Sequence, residues 1–235
     1  MEMYRKSGVN LQEAKKLGEI LKRTFTSSNL TDFVGSTEIN GLRIYNCCDG
    51  IGTKIIPLYE KKLYKTIAID LVAANLNDMA TKNVESVGFS DYIAVNCLDS
   101  YAVSALIIEL NRELESCNCR LLGGETSEMP DLLRDGVIDI SGFAIGIGRG
   151  QTDDIGCGDL IIGLKSNGIH ANGFSLIRKL HKNGQLSDEV FESCLAPSYV
   201  YYNSIRKLWT ENLLKSGVNI TGVGLLENLS LVLLV

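Results

Sequence analysis

Between Gly136 and Gly148 bulky apolar residues alternate with small or polar ones, and Val137, Ile138, Ile140, Phe143, Ile145 and Ile147 carry the bulk. It is the strongest strand signal in the chain, since side chains two apart share a face of an extended backbone. A strand of this length needs neighbours to satisfy its amide and carbonyl groups. Those neighbours are predicted at residues 42–48, 64–69, 84–95 and 121–122, short apolar runs bounded by turn residues. Helical spacing marks residues 11–25 (Leu11, Ala14, Leu17, Ile20, Leu21, Phe25), 70–79 with Asp70 as N-cap, and 101–117 with Leu106, Ile107 and Leu110 inward. Residues 26–37 read as a polar loop. Alternating strands and helices predict an α/β (α+β) domain of mixed sheet plus helices.

Residues 151–158 are polar and glycine-containing, and a domain boundary is placed there, dividing the chain into 1–153 and 154–235. Beyond it a strand is expected at 160–164, a helix at 173–182 and a long helix at 197–215 carrying Trp209. The last eleven residues are mostly Leu and Val, so they are expected to be buried, and the second domain reads as incomplete.

A length of 235 residues with 45% apolar and 22% charged content suits a sizeable core. The net charge of −5, with no basic stripe, argues against nucleic acid or a membrane surface as partner. No apolar run approaches the roughly 20 residues of a membrane helix. The seven cysteines are scattered and form no C-x-x-C pair, so reduced thiols are expected rather than disulfides or zinc. The start lacks the apolar core of a signal peptide, and the cytoplasm is the expected location.

Three blocks carry the chemistry: D-G-I-G-T-K at 49–54, D-L-V-A-A-N-L-N-D at 70–78 and G-G-E-T-S-E-M-P at 123–130. Mg²⁺ takes oxygen ligands, usually one or two carboxylates plus substrate phosphates. Glycine backbone at Gly50 and Gly52 lets phosphate oxygens approach, and Lys54 adds a point charge. The spacing is not that of a Walker P-loop. The first two blocks also have a plainer explanation: Asp49 opens a turn, Asp70 caps a helix, and Asp78 is solvated near a helix end. His170 stands between Gly168 and Gly173 at a helix start, a natural anion site. His181 reads as surface. Neither G-x-S-x-G nor a Rossmann glycine spacing is present.

In this order the blocks resemble the aminoimidazole ribonucleotide synthetase family, the cyclo-ligases of purine biosynthesis. The similarity covers Y-x-x-S-G-V-N at 4–10, the three blocks above, D-Y-I-A at 91–94, S-N-G-I-H-A-N-G-F-S at 166–175 and I-T-G-V-G-L-L-E-N at 220–228. It departs from the pattern at 33–41, which is poor in glycine, and at Val223, where a glycine is expected. The resemblance implies an N-terminal nucleotide-binding domain that pairs across a homodimer, followed by a second α/β domain. It implies ATP and Mg²⁺ as cofactors and formylglycinamidine ribonucleotide as substrate. Phosphorylation of the amide oxygen would let the amidine nitrogen close the ring, giving aminoimidazole ribonucleotide, ADP and phosphate. Such chemistry rests on positioning and charge neutralisation.

Carried onto this chain, the family pattern implies Asp49, Asp70 and Asp78 as metal ligands. Gly50, Gly52, Thr53, Lys54, Asn77, Asp91 and Thr126 would bind the nucleotide, and Lys54, Glu125 and His170 would act in catalysis. Asn172 and Ser175 would reach the substrate, and Lys6 would close over the nucleotide. Two rival readings are an inactive, shortened remnant that still dimerises, and another ATP-using enzyme of the superfamily, such as a thiamine-phosphate or selenophosphate-forming one.

Overall fold

A computed structural model describes residues 7–25, 33–148, 155–222, 224–230 and 232. The arm bearing Lys6 and the expected boundary at 153/154 lie outside the described residues. The predicted α/β class is the observed one: a five-stranded mixed sheet with helices against it.

Helix α1 (Leu11–Thr24) starts where the Asn10 side chain accepts a hydrogen bond from the Glu13 amide. Its Leu17 and Ile20 stay exposed, so the expected apolar stripe has no covering here. Strand β1 (Gly35–Ile39) begins inside the predicted loop and pairs antiparallel with β2 (Leu42–Gly50). Asn40 and Gly41 join them at φ of 53° and 78°, the left-handed pair a tight two-residue hairpin requires. A 3₁₀ turn (Gly52–Lys54) and helix α2 (Ile55–Glu60) follow.

Residues 64–69 are not a strand. They are the opening turns of helix α3 (Tyr64–Thr81), and Leu63 rather than Asp70 stands at the N-cap. Ile67, Leu71, Val72, Leu76 and Met79 are inaccessible to solvent around the helix, while Lys65 in its first turn is exposed. A short apolar run with one exposed polar residue is too brief to show a 3.6-residue stripe, so residues 64–69 look like a short strand. Asn83, at φ 55°, ends it and turns the chain into β3 (Val84–Val95).

Helix α4 (Ser100–Ser116), capped by Asp99, crosses to β4 (Arg120–Glu128), which lies parallel to β3. Strand β5 (Ile138–Gly148) inserts antiparallel between β2 and β3, giving the order β1-β2-β5-β3-β4. Its even-numbered Ile138, Ile140 and Ala144 are buried against the helices, whereas Phe143, Ile145 and Ile147 stay half exposed on the other face.

Helices α5 (Phe174–Lys182), α6 (Asp188–Cys194), α7 (Tyr202–Thr210) and α8 (Leu225–Leu229) make up the rest. Phe174, Phe191, Leu195 and Tyr202 join the same core as α3 and the sheet. The expected long helix at 197–215 is only α7, because residues 196–201 spend their backbone groups on side chains of the first half. The expected strand at 160–164 does not form among the described residues, and Leu160, Ile161 and Ile162 are 90%, 72% and 74% exposed. Of the apolar tail, Leu225 and Leu226 are exposed rather than buried.

Candidate active site

Sheet register builds the first half of the site. Asp49 on β2 faces Gly142 on β5, Gly142 faces Asp91 on β3, and Asp91 faces Gly124 on β4. Residues directly opposite share a face, so the two aspartates stand on one side of the sheet, two strand spacings or about 10 Å apart at the backbone. The glycines make the room. A Cβ at Gly124 would come within 2.5 Å of an Asp91 carboxylate oxygen, and one at Gly142 within 2.7 Å of Asn75 Nδ2 and 2.2 Å of Phe89.

Asn75, on α3, bridges this row. Its Oδ1 accepts from the Asp49 amide at 3.1 Å, and its Nδ2 donates to the Asp49 carbonyl at 3.1 Å. Asp49 sits at the rim, open to solvent and receiving the Gly50 amide at 2.8 Å, yet the surrounding protein raises its carboxyl above the usual range. Burial raises the Asp91 carboxyl as well. No cationic side chain pairs with either among the described residues. A buried and a rim carboxylate, neither paired with a cation among the described residues, suit a divalent cation with oxygen ligands.

Asp70 and Asp78 lie elsewhere. Eight residues separate them, about 12 Å along the helix axis. Asp70 is wholly buried, 2.8 Å from the equally buried Lys54 Nζ, and its other oxygen accepts from the Ser198 amide (2.7 Å) and hydroxyl (2.6 Å). Lys54 also donates to the Ala196 carbonyl at 2.7 Å, and burial lowers its pKa against the pull of Asp70. Asp78 accepts from Asn219 Nδ2 at 2.8 Å, and burial raises its carboxyl to about 6. The expected cage of Asp49, Asp70 and Asp78 is therefore not assembled: no group of three or more potential metal-ligating side chains occurs among the described residues. Lys54, expected on the triphosphate, is committed to Asp70.

Asn77 likewise bonds to the later segment. It donates to the Tyr199 carbonyl (2.9 Å) and accepts from the Tyr201 amide (2.8 Å). Gly52, at φ 56°, opens the 3₁₀ turn, with Thr53 exposed beside it. Glu125 is opposite Tyr92, so strand alternation sends it to the other face from Asp91; it is exposed and accepts from Ser127. Thr126 returns to the Asp91 face and is exposed. His170 adopts φ 56°, and its ring stands 6.2 Å from Tyr199 and 6.1 Å from Tyr201. Its Nε2 is buried without a hydrogen-bond partner, and burial, then Lys54, lower its pKa while Asp70 opposes them. Asn172 approaches Gly222, and the Ser175 hydroxyl lies 3.4 Å from that of Ser7.

Asn75 was missed in the sequence because nothing about an asparagine in an apolar helix marks its partner 26 residues upstream. The signal available was its polarity, which it shares with the other buried polar residues of this helix, Asp70, Asn77, Asp78 and Thr81.

Comparison with known proteins places the chain in a family. Residues 36–148 match the N-terminal domain of AIR synthase related proteins, and residues 156–234 match the C-terminal domain. Phosphoribosylformylglycinamidine cyclo-ligase of Clostridium botulinum (strain Loch Maree / Type A3) is 35% identical over 97% of this chain and 74% of its own length. The protein of the same name from Clostridium kluyveri (strain NBRC 12016) is 32% identical over the same shares. Among solved structures, "AaThiL complexed with AMPPCP and TMP" has a TM-score of 0.57 at 15% identity, covering 82% of this chain and 61% of that one. "T. maritima PurL complexed with ADP" has a TM-score of 0.54 at 12% identity, covering 89% and 32%. These two share the fold. Matched in order by both domains, and by relatives above 30% identity along nearly its whole length, this chain belongs to the AIR synthase related protein family.

Proposed function

We propose that this protein catalyses the ATP- and Mg²⁺-dependent closure of formylglycinamidine ribonucleotide to aminoimidazole ribonucleotide, a ligase step of purine synthesis. The observation that carries the reading is the Asp49–Gly142–Asp91–Gly124 row, in a chain whose relatives bear the cyclo-ligase name. Asp49 and Asp91 would hold the metal, which when bound neutralises phosphate charge. The aspartates have the chemistry for it: both are oxygen donors with carboxyls raised above the usual range, Asp91 is buried, and Gly124 leaves it room. Asn75 holds the Asp49 backbone in place. The backbone of Gly50, Gly52 and Thr53 would meet phosphate oxygens, and Thr126 would lie beside them. Asp70, Asp78, Lys54 and Asn77 are assigned to holding the two halves, 1–153 and 154–235, together. His170, whose protonation burial disfavours, has a buried Nε2 without a protein partner, which would meet the substrate amide or its leaving proton only if substrate binding opened it. Glu125, on the opposite face, would serve a substrate reaching round the β4 edge.

The test is release of ADP and aminoimidazole ribonucleotide when purified protein meets ATP, Mg²⁺ and formylglycinamidine ribonucleotide. ADP release no higher than background sinks the ligase reading. Asp49→Asn and Asp91→Asn are expected to weaken Mg²⁺–ATP binding roughly 10- to 100-fold in calorimetry, the loss of one charge-assisted ligand. Asp78→Asn should leave it within about twofold. Equal losses in all three would return Asp78 to the metal site.

A homodimer is part of the proposal. The sheet face away from the helices carries Phe143, Ile145, Ile147, Val87, Leu122 and Leu42, all more than a third exposed. A contiguous apolar sheet face of this kind fits a two-fold interface. Ile145→Glu is expected to convert the dimer to monomer in sedimentation velocity; an unchanged dimer would place the interface elsewhere. Seven free cysteines support a reducing, cytoplasmic setting. Among the described residues no helix is long and apolar enough to cross a membrane.

One observation favours a second reading, nucleotide binding and self-association without turnover. The apolar 160–164 segment has neither cover nor strand partner among the described residues, so the second half lacks a closed sheet there.

A further inference from the structure

Four backbone groups of residues 196–201 are gripped by three side chains of the first half. Lys54 takes the Ala196 carbonyl, Asp70 the Ser198 amide, and Asn77 the Tyr199 carbonyl and Tyr201 amide. Asp70 and Asn77 are seven residues apart, two helical turns, and so present one face of α3 to this segment. The Lys54–Asp70 pair at its centre has no solvent access, and the Phe174 ring lies 5.4 Å from the ammonium. The gripped segment carries Tyr199 and Tyr201, whose rings stand 5.9 Å apart and flank His170.

We propose that Lys54 and Asp70 are positioning residues: by clamping residues 196–201 they hold Tyr199 and Tyr201 against His170 and set the charge that its ring meets. The charged groups acting on His170 are Lys54 from the 3₁₀ turn and Asp70 from α3, and the titratable groups beside it are the Tyr199 and Tyr201 phenols of the clamped segment. Lys54 disfavours and Asp70 favours its protonation, which agrees with this placement. The clamp goes beyond the ligase reading, and its readouts use neither turnover nor nucleotide, so either can fail alone.

Two measurements test it. In hydrogen exchange, Lys54→Met is expected to speed the Ser198 and Tyr201 amides on the order of 100-fold while β3 and β5 keep their protection, because a lone buried carboxylate cannot hold the segment. The chain has only two histidines, so their imidazole resonances can be titrated individually, with His181→Gln giving the assignment. The His170 midpoint should rise in Lys54→Met and fall in Asp70→Asn, each by roughly half a unit or more. A purely structural role would not move it in opposite directions. If Lys54→Met does not fold, the Lys54→Met/Asp70→Asn double variant removes both charges and is expected to keep the sheet protected. In it residues 196–201 should still exchange faster. Unchanged exchange at 196–201 in the folded variants, or His170 midpoints that both move the same way, would overturn the proposal.

Discussion

Asp70→Ala is expected to lower the unfolding free energy by roughly 3–5 kcal/mol, the cost of leaving a buried charge without its partner. Lys54 would stay inaccessible to solvent, 2.7 Å from one carbonyl and beside an aromatic ring, with no anion to balance it. The Ser198 amide and hydroxyl would lose their acceptor in the same step. Urea unfolding at neutral pH measures the loss. The exposed Lys16–Glu13 pair sets the contrast, since removing Glu13 should cost well under about 1 kcal/mol. A magnesium ligand would behave differently: its loss would change stability chiefly when Mg²⁺ is present. A cost below about 1 kcal/mol for Asp70→Ala in metal-free buffer would refute the structural role.

The second large effect is a pH dependence centred on Asp78. Its carboxyl is raised from 3.8 to about 6, first by burial and further by Asp49, with the Asn219 hydrogen bond and Lys82 opposing. The folded protein therefore binds this proton more tightly than the unfolded chain does. The stabilisation is complete below about pH 4 and is lost as pH rises through about 6, roughly 2–3 kcal/mol in all. Asp78→Asn keeps an oxygen for Asn219 to bond and removes the titration. It is expected to flatten the stability profile between pH 4 and 6.5 and to raise the melting temperature at pH 7.5. Equal pH slopes for the variant and the parent protein would show that Asp78 is not the group responsible.

These two residues mark where local reading of the chain stopped working. Both stand in the D-L-V-A-A-N-L-N-D block, whose carboxylates suggest metal binding when taken as a string. In the fold this block is a buried helix, and its Asp70, Asn77 and Asp78 bond to residues more than 120 positions later. Nothing near Asp70 in the sequence announces Ser198 or Lys54. The first turns of α3 were hidden too, because six residues are too few to tell a helical period from a short strand. The β1–β2 hairpin could have been found, since Asn40-Gly41 carries the turn signal in plain form.

The strand at 138–148, the helix at 100–116, the alternating α/β order and the family itself were all legible in the linear chain. Each depends on neighbours close along the backbone or on blocks kept in order. Which carboxylates meet protein groups and which do not depends on packing. That outcome hangs on strand register, which sets Asp49 and Asp91 across Gly142, and on contacts between distant segments, which neutralise Asp70 and bury Asp78. A charge's role depends on what folding brings within about 4 Å of it, and sequence distance carries no record of that.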